Sequence, residues 1–495
     1  MSNRNRLLGA LAALACGLTL AQALPPEVAA ALARAKVPLD AITLLVADAG
    51  GKSLPRLSHR ANVPMNPASV MKLVTTYAAL DLLGPAYTWQ TPVFVEGAVR
   101  EGTLYGNLYI KGQGDPKLVA ERLWLLLRRV QGLGIQKIAG DIVLDGSAFE
   151  TSEADPASFD GEPLRPYNAA PDALLLNFKS VVMTFVPDLS ANIVHVQFEP
   201  PLFGVQMQTS VALANGTRPA AGTSTVCGDY RAALRADFSD PTRIRFNGSY
   251  PAGCAEKVWP VAYADPNSYN VRAVQGLWHE MGGQLSGTVR AGLVPTMAQV
   301  FEMTSPPLAE VIRDINKYSN NVMAQQVFLT LSLPAQSQSA SPASVPAEAA
   351  GPAQTVPVAT RAASREIVRR WWQTLIGPDD APTLDNGAGL SRQASITAQA
   401  LAHLLQMAYR SPLMPELMSS LPIVGVDGTL KRSQAQSRGS AHLKTGSLRD
   451  VIALGGYVHA TSGKTYVLVA IANHPNANAA RPAFEALLDW AVRDN

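Results

Sequence analysis

The chain has 495 residues, with 41 Lys and Arg against 38 Asp and Glu, so its formal charge is +3. Hydrophobic residues make up 47% and there are three cysteines. This near balance gives no case for a nucleic-acid partner, and the length predicts two or three domains with a sizeable core.

The first residues read as a secretory signal. Arg4 and Arg6 give a positive start, residues 7–20 an apolar stretch, and Ala21-Gln22-Ala23 a cleavage site, so residues 1–23 are expected to be removed. The apolar stretch is short and wrongly flanked for a membrane span. Cys16 follows Ala13-Leu14-Ala15, a poor lipoprotein cleavage signal because Ala13 stands where a large apolar residue is usual, so simple secretion is expected rather than lipidation. Loss of the two Arg brings the charge from +3 to +1. Two cysteines remain, Cys227 and Cys254, and export predicts that they form a disulfide.

Residues 41–47 read as a strand, Gly50-Gly51 as a turn and residues 56–59 as a returning strand. Next comes Asn66-Pro67-Ala68-Ser69-Val70-Met71-Lys72. Pro67 suits a first helical position. Leu73, Val74, Tyr77, Leu80 and Leu83 continue an apolar face, and Gly84-Pro85 ends it. Positions i and i+3 share a helix face, so Ser69 and Lys72 can meet. That places an amine base beside a serine nucleophile. The helix dipole and partial burial both disfavour charge on Lys72. The pair is expected to be an exposed polar pair in a cleft that adds little stability. A Ser-x-x-Lys alone also occurs on ordinary solvated helix faces, so partners are needed.

Residues 92–300 read as a large insertion. Strands are predicted over 93–99, 103–110 and 138–144, with a helix over 117–131. A mixed apolar run follows over 168–187. Short β-like pieces fill about 192–258, a subdomain holding both cysteines. A helix over 270–281 and a strand over 284–291 complete the insertion.

Ser305-Pro306-Pro307 opens a helix through Ile315, and Tyr318-Ser319-Asn320-Asn321 begins another through Leu331. Residues 333–360 are dominated by Ala, Ser, Pro and Gln, which predicts a flexible loop. Helical patterns resume over 361–375 and 397–409. Finally His442-Leu443-Lys444-Thr445-Gly446-Ser447 leads into a hairpin over 451–459 and 465–473, and a helix closes the chain over 481–492. Two N-terminal and about three C-terminal strands with helices on the faces make one α/β domain, built from residues 24–91 and 301–495.

Three short motifs therefore stand in order: Ser69-x-x-Lys72, Ser319-Asn320-Asn321 and Lys444-Thr445-Gly446. Each is weak alone, since Ser319 and Asn321 could simply cap a helix. Together, on helix start, helix start and strand, they match the set shared by penicillin-binding proteins and β-lactamases. The wider chain resembles the class C low-molecular-mass penicillin-binding proteins, the D-alanyl-D-alanine carboxypeptidase/endopeptidase family. The resemblance includes Gly112-Gln113-Gly114-Asp115-Pro116-Lys117-Leu118, Gly387-Ala388-Gly389-Leu390-Ser391-Arg392 and the run from Leu421-Pro422-Ile423 to Gly428-Thr429-Leu430.

The resemblance implies a penicillin-binding transpeptidase-like fold, an antiparallel sheet with helices on its faces, carrying a mixed α/β insertion. It implies a periplasmic serine DD-peptidase acting on peptidoglycan stem peptides and acylated by β-lactams. By resemblance Ser69 is the nucleophile and Lys72 its base. Ser319 passes a proton to the leaving amine, and Asn321 binds the substrate backbone. Lys444 adds positive field and Thr445 holds the terminal carboxylate. Gly446 and Ser447 line the substrate strand, with the Ser69 and Ser447 N–H groups as oxyanion donors. Relatives carry a Trp- and Asp-rich segment whose carboxylate binds a diaminopimelate amine. This chain has no Trp there, and Asp160 or Glu162 is the candidate replacement, with a solvated loop charge as the alternative. No Cys-x-x-Cys or His-Glu-x-x-His spacing occurs, so neither a metal nor another cofactor is expected. A homodimer is left open. The rivals are a β-lactamase or esterase of the same fold, and a non-catalytic wall-binding protein.

Overall fold

The structure, a computed structural model, describes residues 23–151, 155–214, 227–333 and 358–494. Nearly all of the expected signal sequence and of the Ala/Ser/Pro-rich stretch lies outside these residues.

Five antiparallel strands form the central sheet. Val451–His459 and Thr465–Asn473 are a hairpin, with Ala441–Leu448 on one side and Ile42–Asp48 then Leu57–His59 on the other. Thr465–Asn473 shows why the sequence reads as an unbroken apolar run. Val467, Val469 and Ile471 enter the core on one face, and Leu468, Ala470 and Ala472 enter the core on the other. Both faces are covered, so the alternation of a half-buried strand is missing. Helices Pro26–Ala35 and Arg481–Arg493 cover the second face. Helices Lys72–Leu83, Leu308–Tyr318, Asn321–Thr330, Arg361–Leu375 and Ala398–Arg410 contribute to the core on the first.

The insertion leaves and returns through neighbouring strands. Gln90–Val95 pairs antiparallel with Phe301–Thr304, register Val93 opposite Phe301. These two belong to a second five-stranded sheet with Leu108–Lys111, Ile142–Asp145 and Val289–Ala291. The expected strand over 93–99 is broken at Glu96-Gly97, where Gly97 has φ +101° and its added Cβ would lie 2.2 Å from the Tyr105 carbonyl oxygen. Only glycine fits such a turn. A further four-stranded sheet contains Ser180–Asp188 between Ile193–Glu199 and Lys257–Ala262. Ser180–Asp188 thus belongs to the β-rich part, which begins earlier than residue 192. Cys227 and Cys254 are joined by a disulfide with Cα atoms 4.6 Å apart.

Two expected helix starts are corrected. Ser69 lies in a short 3-10 turn, Ala68–Met71, and the α-helix begins at Lys72. Ser319 is not in the second helix. It is a left-handed link, φ 58°, between Leu308–Tyr318 and Asn321–Thr330. Asn320 takes the cap position, its side chain accepting from the Met323 N–H at 3.0 Å.

Candidate active site

The site lies at the open edge of the central sheet, where Ala441–Leu448 faces the Ser69 turn and the Ser319 link. Lys72 is fully buried, which corrects the expectation of an exposed pair. Its Nζ lies 2.9 Å from Ser69 Oγ, 2.5 Å from Asn321 Oδ1 and 2.7 Å from the Ala388 carbonyl oxygen. Burial, and then the charge on Lys444, hold the Lys72 amine well below its ordinary value. A neutral amine has two N–H donors and one lone pair. Asn321 Oδ1 and the Ala388 oxygen can only accept, so they take both donors. The lone pair is left for the Ser69 hydroxyl proton. The two carbonyls thus aim the base.

Lys444 is also fully buried. Its Nζ donates to Ser319 Oγ at 2.9 Å and to the Thr445 carbonyl oxygen at 2.8 Å. Burial pushes its amine down to about 7. The left-handed backbone at Ser319 accompanies this arrangement and is the kind of local strain found at functional sites.

The nucleophile turn is held tightly. Ala68 has φ 47°, an uncommon value for a residue with a side chain. Asn66 Oδ1 accepts the Ala68 N–H at 2.9 Å, and Asn66 exchanges hydrogen bonds with Asn473 at 2.8 and 2.9 Å. Gly446 packs on this turn so closely that a Cβ there would lie 2.4 Å from the Pro67 carbonyl oxygen and 3.2 Å from Ser69 N.

Ser69, Ser319, Asn321 and Ser447 share one cleft of about 930 Å³ with Phe159, Asp160 and Tyr167 of the insertion. Asp160 accepts from Tyr167 Oη and Asn168 Nδ2, both at 2.8 Å, and from the Glu162 N–H at 3.1 Å. Burial would raise the Asp160 carboxyl, but these hydrogen bonds outweigh it and hold it below its usual value. Glu162 is exposed, is not among the residues lining the cleft, and pairs with Arg165 at 3.3 Å. Thr445 Oγ1 lies 2.7 Å from Thr429 Oγ1.

Sequence reasoning missed the Ala388 carbonyl, Asn66 and Thr429. The Gly-rich run around Ala388 was visible, but a backbone oxygen's target cannot be read from residue type.

The sequence matches the D-Ala-D-Ala carboxypeptidase 3 (S13) family over residues 24–493. The chain belongs to that family. It is a serine-type D-Ala-D-Ala peptidase that forms an acyl-enzyme. It is 24% identical to the D-alanyl-D-alanine carboxypeptidase DacB of Haemophilus influenzae, over 83% of this chain and 80% of that one. It is 26% identical to a D-alanyl-D-alanine carboxypeptidase of Actinomadura sp., over 80% and 71%. Its fold matches the crystal structure of penicillin binding protein 4 (dacB) from Haemophilus influenzae with a TM-score of 0.68 and 22% identity, over 93% of this chain and 99% of that one. A penicillin G-acylated predatory endopeptidase from Bdellovibrio bacteriovorus matches with a TM-score of 0.51 and 14% identity, over 92% of each chain.

Proposed function

We propose that this S13 peptidase works in the periplasm, removing terminal D-alanine from peptidoglycan stem peptides and opening D-alanyl cross-links. The observation that carries this reading is the fully buried Lys72 beside Ser69, with both of its remaining donor directions occupied. Ser69 Oγ attacks the carbonyl of the penultimate D-alanine while its proton passes to Lys72 Nζ. The Ser69 and Ser447 N–H groups hold the developing oxyanion, an effect worth about 3 kcal/mol per donor. Ser319, hydrogen-bonded to Lys444, relays a proton to the leaving amine. Asn321 orients the substrate backbone, and Thr445 holds the terminal carboxylate within the field of Lys444. Water then attacks the acyl-enzyme and releases Ser69.

Asp160 gives the cleft a carboxylate suited to the free amine of a diaminopimelate side chain, already held by two side-chain donors. Glu162 is a weaker candidate because Arg165 occupies it. A penicillin offers a strained amide and a carboxylate, so it enters the same cleft and acylates the same oxygen. Export rests on the signal pattern in residues 1–23, and no described helix is long and apolar enough to cross a membrane. The test is release of D-alanine from a diacylated D-Ala-D-Ala peptide. Wild type should release it, and folded Ser69→Ala should not. Release by the variant at the wild-type rate would overturn the reading.

A further inference from the structure

Thr445 does not stand alone at the sheet edge. Its hydroxyl meets that of Thr429 at 2.7 Å, and Thr429 is exposed to solvent. Thr429 belongs to the short turn Gly428–Leu430. Two contacts fix that turn against the helix that presents Ser319. Lys317, whose side chain is 4% exposed, donates to Asp427 Oδ2 at 2.6 Å. Gly428 lies so close that a Cβ there would be 2.5 Å from the Lys317 carbonyl oxygen. Thr429 therefore rides on the same rigid support as Ser319, while Thr445 rides on the Lys444 strand.

Both threonines line a cavity of about 80 Å³ that also includes Ser447. Ser447 lines the Ser69 cleft as well, so the cavity adjoins the cleft at that residue. Among the described residues, Arg432 and Arg481 line the cavity against one acid, Glu485. Glu485 already accepts from Ser433 Oγ at 2.9 Å and from the Gln434 N–H at 2.8 Å. The local balance favours an anion.

We propose that Thr429 is a second hydroxyl of the subsite that takes the substrate's terminal carboxylate; this rests on the reading that Thr445 is the first. A carboxylate has two oxygens and only accepts hydrogen bonds. At the sheet edge one of the two hydroxyls donates to the other. A carboxylate arriving between them replaces that bond, and each threonine donates to one oxygen. No atom of Thr429 takes part in the chemical step. Its contribution belongs to binding, and to discrimination in favour of a free C-terminal acid.

The experiment compares a peptide ending in D-Ala-D-Ala acid with the same peptide ending in the amide. Thr429→Val keeps the shape and removes the donor; Thr429→Ser restores it. A hydrogen bond to a charged group predicts that Thr429→Val loses about 10-fold in kcat/KM for the acid. The loss should lie in KM, the amide should be unchanged, and Thr429→Ser should recover the acid. Equal losses on acid and amide, or no loss on either, overturn the proposal. Thr445→Val separates the underlying reading. If wild type prefers the acid and Thr445→Val abolishes that preference while Thr429→Val keeps it, only the role of Thr429 fails. If wild type shows no preference for the acid, the carboxylate reading of Thr445 fails as well.

Discussion

Gly446→Ala should damage catalysis through one methyl group. The added Cβ would sit 2.4 Å from the Pro67 carbonyl oxygen, where ordinary contact begins at 3.4 Å. The strand and the nucleophile turn must therefore separate by about 1 Å, a displacement that can cost about 10²-fold in rate. The turn has little freedom to yield, since Asn66 and Asn473 pin it and the Ala68 backbone is already left-handed. The strand should give way, carrying the Ser447 N–H away from the oxyanion position. A loss of about 10²-fold equals about 2.7 kcal/mol of transition-state stabilisation. Overpacking should cost a further 1–3 kcal/mol of stability, about the usual range for an extra core methyl. Stopped-flow acylation by a fluorescent penicillin measures the first quantity and a thermal melt the second. A folded Gly446→Ala protein that acylates within about twofold of wild type would refute the reasoning.

Lys72→Met should abolish acylation while leaving the protein folded. It strands Asn321 Oδ1 and the Ala388 oxygen, at about 1–3 kcal/mol each, but also removes a buried amine's desolvation cost; unfolding on substitution, seen by circular dichroism, would contradict this. Acylation needs neutral Lys72, so its rate should fade as pH falls through the lowered Lys72 pKa. Lys444→Met removes the neighbouring charge, Lys72 should then protonate more readily, and the acid limb of the pH–rate profile should move to higher pH. An acid limb that stays in place would show that the two amines are not coupled. Asp160→Asn should weaken turnover of diaminopimelate-containing peptides by about 10-fold while penicillin acylation is spared; equal effects in the two assays would remove Asp160 from the substrate subsite. Thiol titration of the denatured, unreduced mature protein should find neither Cys227 nor Cys254 free.

The strands of the central sheet were legible because Val451–His459 and Thr465–Asn473 combine apolar runs with a Ser-Gly turn. The Ser69 and Lys72 pairing was legible because a helical turn and a 3-10 turn both bring residues three apart together. The left-handed Ser319 was not legible. Serine rarely adopts that backbone, and nothing in Tyr318-Ser319-Asn320-Asn321 separates it from a helix cap. Full burial of Lys72 was also hidden, because it depends on Asn321 and Ala388, which lie 249 and 316 residues away.

The central claim is that Ser69 is the covalent nucleophile. Intact-mass measurement after exposure to benzylpenicillin, followed by peptide mapping, tests it directly. One penicilloyl adduct should appear on wild type and map to Ser69, and folded Ser69→Ala should show none. An adduct mapped to any other residue, or full labelling of Ser69→Ala, would contradict the account.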